Sequence, residues 1–171
     1  MEKLGEFSES LKETEWAWIA GFIDGEGCIM IQKGYAENKK KTHKWSKEGW
    51  FYYTPRFSLH NTDEDAISFV SKALGCKYYR RKKQESNLKP IYYIDITAIK
   101  VLRRVIPNIL PYLRVKKVQA SLVYRLACLP RGSGPEKEDV WQEFDKYSTL
   151  CGQKAVGLLN HRSVTLSQAT G

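Results

Sequence analysis

The chain is poor in the residue patterns that build zinc sites and disulfide frameworks. Its four cysteines, Cys28, Cys76, Cys128 and Cys151, stand far apart with no C-x-x-C pair, and His43, His60 and His161 hold no ligand-like spacing to them. There is no charged leader followed by an apolar segment, and no apolar run nears the roughly 20 residues needed to span a bilayer. The expectation is an intracellular protein with reduced thiols, cytoplasmic, organellar or nuclear according to its host. Negative charge is also scarce, with 19 Asp and Glu against 28 Lys and Arg and a formal charge of +9. That balance points to a polyanionic partner, nucleic acid being the commonest.

What is present suffices for a packed core. The chain has 171 residues, 42% of them hydrophobic, which suits a single domain or one with a small appended lobe. Its charge is placed rather than scattered: residues 1–15 hold two lysines and five glutamates, whereas 32–56 hold seven Lys/Arg and two glutamates.

The most informative stretch runs from Trp16 to Ile31. Trp16, Ile19, Ala20 and Ile23 recur at helical spacing, and Gly21 and Gly25 sit four apart on another face. Each glycine inside a helix costs roughly 1 kcal/mol relative to alanine, so something must require the missing side chains. Close approach of a second helix supplies the reason, because small residues let two backbones come nearer. Asp24 and Glu26 then lie at the end of that helix pair. A phosphate loop would need Gly-Lys-Ser/Thr, and a calcium loop would need later ligands, and neither follows here. The purely architectural alternative is a buried helix with a glycine C-cap and two solvated acids.

Along the rest of the chain, Thr14 is the expected N-cap of the glycine-bearing helix, with Glu15 against its dipole. Cys28–Lys33 reads as a strand and Tyr53–His60 as its antiparallel partner, with Phe57 and Leu59 on one face and Arg56, Ser58 and His60 on the other. The connection between them, Lys39–Lys47, is basic and has Trp45 and Trp50 in or beside it. Thr62 or Asp63 caps a helix striped by Ile67, Val70 and Leu74, which Gly75 ends. Lys77–Lys83 and Ile91–Ile96 form a second hairpin, with Ile94 and Ile96 inward and Tyr93 and Asp95 outward. A helix from Thr97 uses Ile99, Leu102 and Ile106 until Pro107 and Pro111 interrupt it. Lys116–Cys128 makes another, striped by Val118, Leu122 and Leu126. After the turn-rich Pro130–Pro135, Val140, Trp141, Phe144 and Tyr147 mark a last amphipathic helix. The expected fold class is α+β in the order αββαββα with extra C-terminal helices. Residues 1–129 form the expected core, and 130–171 a helical extension packed on the same domain.

Two hairpins make a four-stranded antiparallel sheet with one face on the helices and the other open. The residues expected to meet nucleic acid are Met30, Gln32, Lys33, Tyr52, Thr54, Arg56, Ser58, Arg80, Lys82, Tyr93 and Asp95. They mix cations for phosphates with hydrogen-bonding groups for base edges.

Ile19-Ala-Gly-Phe-Ile-Asp-Gly-Glu-Gly27 resembles the nine-residue motif of the LAGLIDADG homing endonucleases, matching the order of apolar, small and acidic positions throughout. The resemblance spans roughly Trp16 to Leu129. It implies a site-specific double-strand DNA endonuclease whose motif helix packs against a second motif, and whose last motif acid, here Glu26, binds Mg2+, with Mn2+ able to substitute. The Gly25 carbonyl is a further candidate ligand. Phe57–Thr62 is similar to the family's strand end bearing a polar residue that orders the attacking water, which maps to Asn61. Pro111–Ala120 looks like the segment that carries the family's catalytic lysine, here Lys116. With one motif in the chain, the implied assembly is a homodimer on a palindromic or nearly palindromic site. Its interface is expected from Trp16, Ile19, Ala20, Gly21, Asp24 and Gly25. For Asp24 the two candidate tasks are support of the metal from behind its ligands and, the preferred one, hydrogen bonding to the N-terminal amides of the partner's motif helix.

Two other readings use the same residues. One is a non-cleaving intron maturase or DNA-binding regulator on the same scaffold, against which Glu26, Asn61 and Lys116 argue. The other is a basic RNA-binding module with Tyr78 or Tyr79 and Tyr92 or Tyr93 stacking on bases. It leaves the glycine-bearing helix and its acids unexplained.

Overall fold

Two long strands, residues 27–37 and 49–61, dominate the molecule; both carry β-branched and aromatic residues, and Ile29, Ile31, Phe57 and Leu59 recur at every second position on one face. The computed structural model describes residues 11–37, 49–81, 89–130 and 134–150 of the chain. The basic connection containing Trp45, most of the expected 77–83 to 91 turn including Lys82, and the segment beyond 150 lie outside the described residues.

The element order is α1 (Glu13–Glu26), β1 (Gly27–Glu37), β2 (Gly49–Asn61), α2 (Glu64–Leu74), β3 (Tyr79–Arg80), β4 (Tyr92–Ile96), α3 (Ile99–Ile109), α4 (Lys117–Cys128) and α5 (Gly134–Leu150). The strands form one antiparallel sheet in the order β1-β2-β4-β3. The register pairs Gly27 with Leu59 and Phe57 with Ile96. Ile29, Ile31, Phe57, Leu59, Ile94 and Ile96 therefore face the same way and are buried under the helices. Ile67, Val70 and Leu74 of α2, Leu102, Val105 and Ile106 of α3, and Leu122, Val123 and Leu126 of α4 complete this core. Helix α5 adds Val140 and Phe144 and packs on α4 and on the β1–β2 hairpin.

Several local expectations shift. Lys12, not Thr14, occupies the N-cap of α1, and the Glu15 carboxylate reaches back to accept the Lys12 N–H at 2.7 Å. Asp63 caps α2, its carboxylate accepting the Ala66 N–H at 3.1 Å, and Gly75 ends that helix in the left-handed conformation at φ 59°. Ile99 and Val118 stand exposed at 42% and 43%. The buried stripes run instead through Leu102, Val105, Ile106 and Ile109 in α3 and through Gln119, Ala120, Leu122, Val123 and Leu126 in α4. Both expectations took an apolar residue in the first turn of a helix as core. Pro107 lies inside α3 rather than ending it. It sits in the last turn on the exposed side, where a missing N–H removes one bond only.

Candidate active site and nucleic-acid interface

Helix α1 delivers its last residue, the exposed Glu26, to the point where β1 begins. The helix-to-strand change is abrupt because Gly27 follows directly: a Cβ there would stand 2.7 Å from the Ile23 carbonyl oxygen. The pairing of Gly27 with Leu59 sets this junction beside the end of β2, where Asn61 is the last residue. Lys116, the N-cap position of α4, is brought to the same end by Asp24. The Asp24 carboxylate accepts the N–H groups of Arg114 at 2.6 Å, Val115 at 3.1 Å and Lys116 at 2.9 Å. In return the Lys116 ammonium donates to the Asp24 backbone carbonyl. That carbonyl lies in the last turn of α1, where a cation suits the helix dipole.

This corrects the expected role of Asp24. It does bind backbone amides at the start of a helix, but they belong to its own chain's 114–116 segment and not to a partner's motif helix. Partial burial pushes the Asp24 pKa up and is the largest single influence, yet the Arg114, Lys116 and Val115 amides and the Lys116 charge together outweigh it and hold it below the usual carboxylate value.

Asn61 is oriented by its own turn, its side-chain oxygen accepting the Asp63 N–H at 2.9 Å. That leaves Asn61 its NH2 end and the second lone pair of its oxygen to offer a water or a phosphate. Cys28, the second residue of β1, lies nearby on the polar side of the sheet. Burial pushes its thiol up against the opposing pull of Lys116, Arg56 and Ser58.

The expected interface residues of α1 divide into two groups. Ile19 and Ala20 are wholly buried in the chain's own core, so their side chains serve the fold and not an outer contact, while the half-buried Trp16 packs against that core and keeps an outward part. Gly21 and Gly25 are exposed, and no atom comes within 4 Å of where a Cβ would stand on either. The protomer's own packing thus does not account for these glycines. Next to them lies Trp18, 48% exposed, with its ring 5.2 Å from that of Phe22 and 5.4 Å from that of Phe69. An open hollow of about 490 Å³ lined by Thr14, Glu15, Trp18, Ala66 and Phe69 continues this apolar face. Trp18 was hidden from sequence reasoning because the adjacent Trp16 fits the helical stripe better.

On the other side of the sheet, cross-strand pairs place Met30 with Arg56, Gln32 with Thr54, Gly34 with Tyr52 and Cys28 with Ser58. Asp95 pairs with Ser58, and Tyr93 with His60. This open face gathers most of the expected nucleic-acid residues: Met30, Gln32, Tyr52, Thr54, Arg56, Ser58, Tyr93 and Asp95. Ser58 is nearly buried between its neighbours on the central strand, at 8% exposure. The ring of Tyr52 lies over Gly34, in space that any side chain at Gly34 would fill. At about 3.3 Å per residue the 13-residue β2 reaches about 43 Å, more than one turn of duplex.

Two expected members of that face are elsewhere. Lys33 shares the parity of Ile29 and Ile31 and turns toward α5. Its ammonium binds both carboxylate oxygens of Glu138 at 3.0 Å and lies 4.2 Å from the Trp141 ring centre and 4.5 Å from that of Phe51. Arg80 pairs with the buried Tyr92, so it carries the helix-side parity, and Tyr79 takes the open-face position beside Tyr93 with rings 5.6 Å apart. Both differences are one-residue shifts of a period-two pattern. Tyr79 and His60, whose ring is 5.6 Å from that of Tyr93, extend the open face toward β3.

Residues 19–125 match the model of the LAGLIDADG endonuclease family. The DNA endonuclease I-CvuI of Chlorella vulgaris is 30% identical over 119 residues, a stretch that covers 67% of this chain and 64% of that protein. In structure, I-CvuI in complex with its target aligns with a TM-score of 0.60 at 23% identity, covering 81% of this chain and 82% of that one. The archaeal intron-encoded homing endonuclease I-Vdi141I complexed with DNA gives 0.55 at 18% identity, over 78% of this chain and 84% of that one. The group I intron-encoded I-CeuI complexed with DNA gives 0.56 at 18% identity, over 86% and 72%. At these identities the structural likenesses establish the fold: an α+β arrangement with a four-stranded antiparallel sheet.

Proposed function

Because the chain belongs to the LAGLIDADG endonuclease family, we propose that it is a site-specific double-strand DNA endonuclease that acts as a homodimer with Mg2+, or Mn2+ in its place. The observation that carries this reading is the open glycine face of α1, which ends at the exposed Glu26. Two copies meeting along Gly21 and Gly25 bring two Glu26 carboxylates together at the helix ends. The apolar patch of Trp18, Phe22 and Phe69 beside the glycines enlarges the surface that such a contact buries.

The donor set fits a hard cation. Glu26 would supply carboxylate oxygens and Gly25 a backbone carbonyl, both hard oxygen donors. Among the described residues of one chain no group of three Asp, Glu, His or Cys gathers that would hold an ion unaided. A second copy and the substrate phosphate would complete the ligand shell. When bound, the cation lowers the pKa of a water and covers charge on the leaving oxygen. The chain's own groups do the rest. Glu26 would hold the cation, Asn61 donates from its NH2 to the attacking water, and the Lys116 ammonium, fixed by Asp24, steadies negative charge as the phosphodiester opens. The open sheet face follows one half-site of a palindromic or nearly palindromic duplex, and its twin follows the other.

The test is a magnesium-dependent cleavage selection on a randomised duplex library, run with wild type beside Glu26→Gln. Double-strand cuts at a near-palindrome, absent in the variant, are the expected result. Binding without cuts by either protein, with magnesium and manganese both tried, would transfer the assignment to the maturase or regulator reading.

A further inference from the structure

Resting on that reading, we propose that Arg56, its guanidinium held side-on by Asp95, reads a guanine in the major groove of each half-site. The Arg56 Nε donates to Asp95 Oδ1 at 2.8 Å, and its Nη2 donates to Oδ2 at 2.6 Å. The two residues sit on neighbouring inner strands of the open face, diagonal across the Ser58–Asp95 pair, and their side chains are 37% and 29% exposed. A guanidinium has five N–H groups in a planar fork. The side-on bond to Asp95 uses the Nε edge, which leaves the end-on edge with one N–H from each terminal nitrogen, parallel and uncommitted to Asp95. That pair has the spacing of guanine O6 and N7.

The carboxylate also decides which part of the duplex Arg56 meets. A free arginine on this face would serve a phosphate well, but Asp95 places a negative charge against its side and makes the pair nearly neutral. A phosphate approaching it is repelled by one member while attracted by the other. A base edge carries no such net charge, so the pair's remaining donors favour it. Adenine offers N7 but presents its N6 donor where guanine has O6, so two donors would face each other. The fork is also ordered before DNA arrives, since the two bonds to Asp95 hold the side chain across the neighbouring strand. Arg56 is five residues from Asn61, about 17 Å along the strand. The guanine should therefore stand roughly five base pairs outward from the level of Asn61, at about 3.4 Å per base pair.

Binding selection on a randomised duplex library, with the full chain and calcium in place of magnesium, tests this for wild type, Arg56→Ala, Arg56→Lys and Asp95→Asn. Wild type should enrich guanine at one position of each half-site. Arg56→Ala and Arg56→Lys should lose that preference by roughly 5- to 150-fold, at that position alone, the range a bidentate base contact confers. Asp95→Asn should weaken the preference at the same position and leave the other positions unchanged. A uniform loss of affinity over all sequences in Arg56→Ala, with a salt dependence of binding about 0.9 shallower, would make Arg56 a phosphate contact and overturn the proposal. An unselective wild type would overturn the functional reading beneath it, a result distinct from selective binding that ignores Arg56.

Discussion

Asp24 and Lys116 hold each other at both ends: the Asp24 carboxylate accepts the Lys116 backbone N–H at 2.9 Å, and the Lys116 ammonium donates to the Asp24 backbone carbonyl. One acid of the glycine-rich motif thereby serves the fold and sets the lysine, while the other, Glu26, is left exposed. Replacing Asp24 by alanine strips three amides of their acceptor. The expected loss is about 1–2 kcal/mol, as for other lost helix caps, which thermal melting should read as a fall of roughly 2–8 °C. Cleavage should fall further than stability, because Lys116 loses its anchor.

The same contact dictates a pH dependence. The folded pKa of Asp24 is depressed, so its contribution is present above the unfolded value near 3.9 and is lost as pH falls through the lower folded value. The stability gap between wild type and Asp24→Asn, read from denaturant midpoints, should be constant from about pH 7 to 5 and close as the pH drops below about 4. A gap that widened in acid would contradict the assigned sign.

Asn61→Asp separates turn from chemistry. Aspartate keeps the oxygen that accepts the Asp63 N–H but loses the NH2 donors and adds charge where a phosphate must come. Melting should change little, and cleavage should fall by roughly 10²–10³-fold, the scale of losing one well-placed donor, with single-turnover rates as the measurement.

Lys33 was legible as a cation in a basic region and illegible as a buttress. Its parity with Ile29 and Ile31 turns it toward Glu138 and Trp141, 105 and 108 positions onward in the chain. Lys33→Met should cost stability, by about 1–2 kcal/mol for the lost bidentate pair and cation–π contacts. The slope of DNA affinity against salt should stay unchanged, whereas loss of a phosphate contact would reduce it by about 0.9.

The pattern of what could be read follows from range. The α1–β1 stretch, Gly75, Asp63 and the inward Ile94 and Ile96 were legible because local spacing and cap chemistry determine them. The face taken by Arg80 or Tyr79 was not, since it depends on pairing with β4, and a two-residue strand carries too little alternation to set its own register. The motif's resemblance named Glu26, Asn61 and Lys116 as a group. It did not show that Asp24 positions Lys116, because that bond joins residues 92 apart through backbone groups that no side-chain pattern reports. Ile19 and Ala20 lie on the inner side of α1, where the sheet consumes them, and the exposed Gly21, Gly25 and Trp18 are what remains outward.

For the proposed dimer, that division makes Gly21 the position where assembly can be broken without harming the fold. A Cβ at Gly21 meets nothing within 4 Å in the protomer, and leucine gains about 1 kcal/mol of helix propensity over glycine. Gly21→Leu should therefore melt at or above the wild-type temperature when monomeric. A partner helix seated against the glycine would meet four added carbons per copy, eight across a two-fold axis, and would be forced outward. Sedimentation should show wild type as a dimer and Gly21→Leu as a monomer of unchanged circular dichroism, with cleavage lost because the two Glu26 carboxylates no longer meet. If Gly21→Leu remained dimeric and active, the two copies would have to meet through another surface, and the Trp18–Phe69 patch would be the next to mutate.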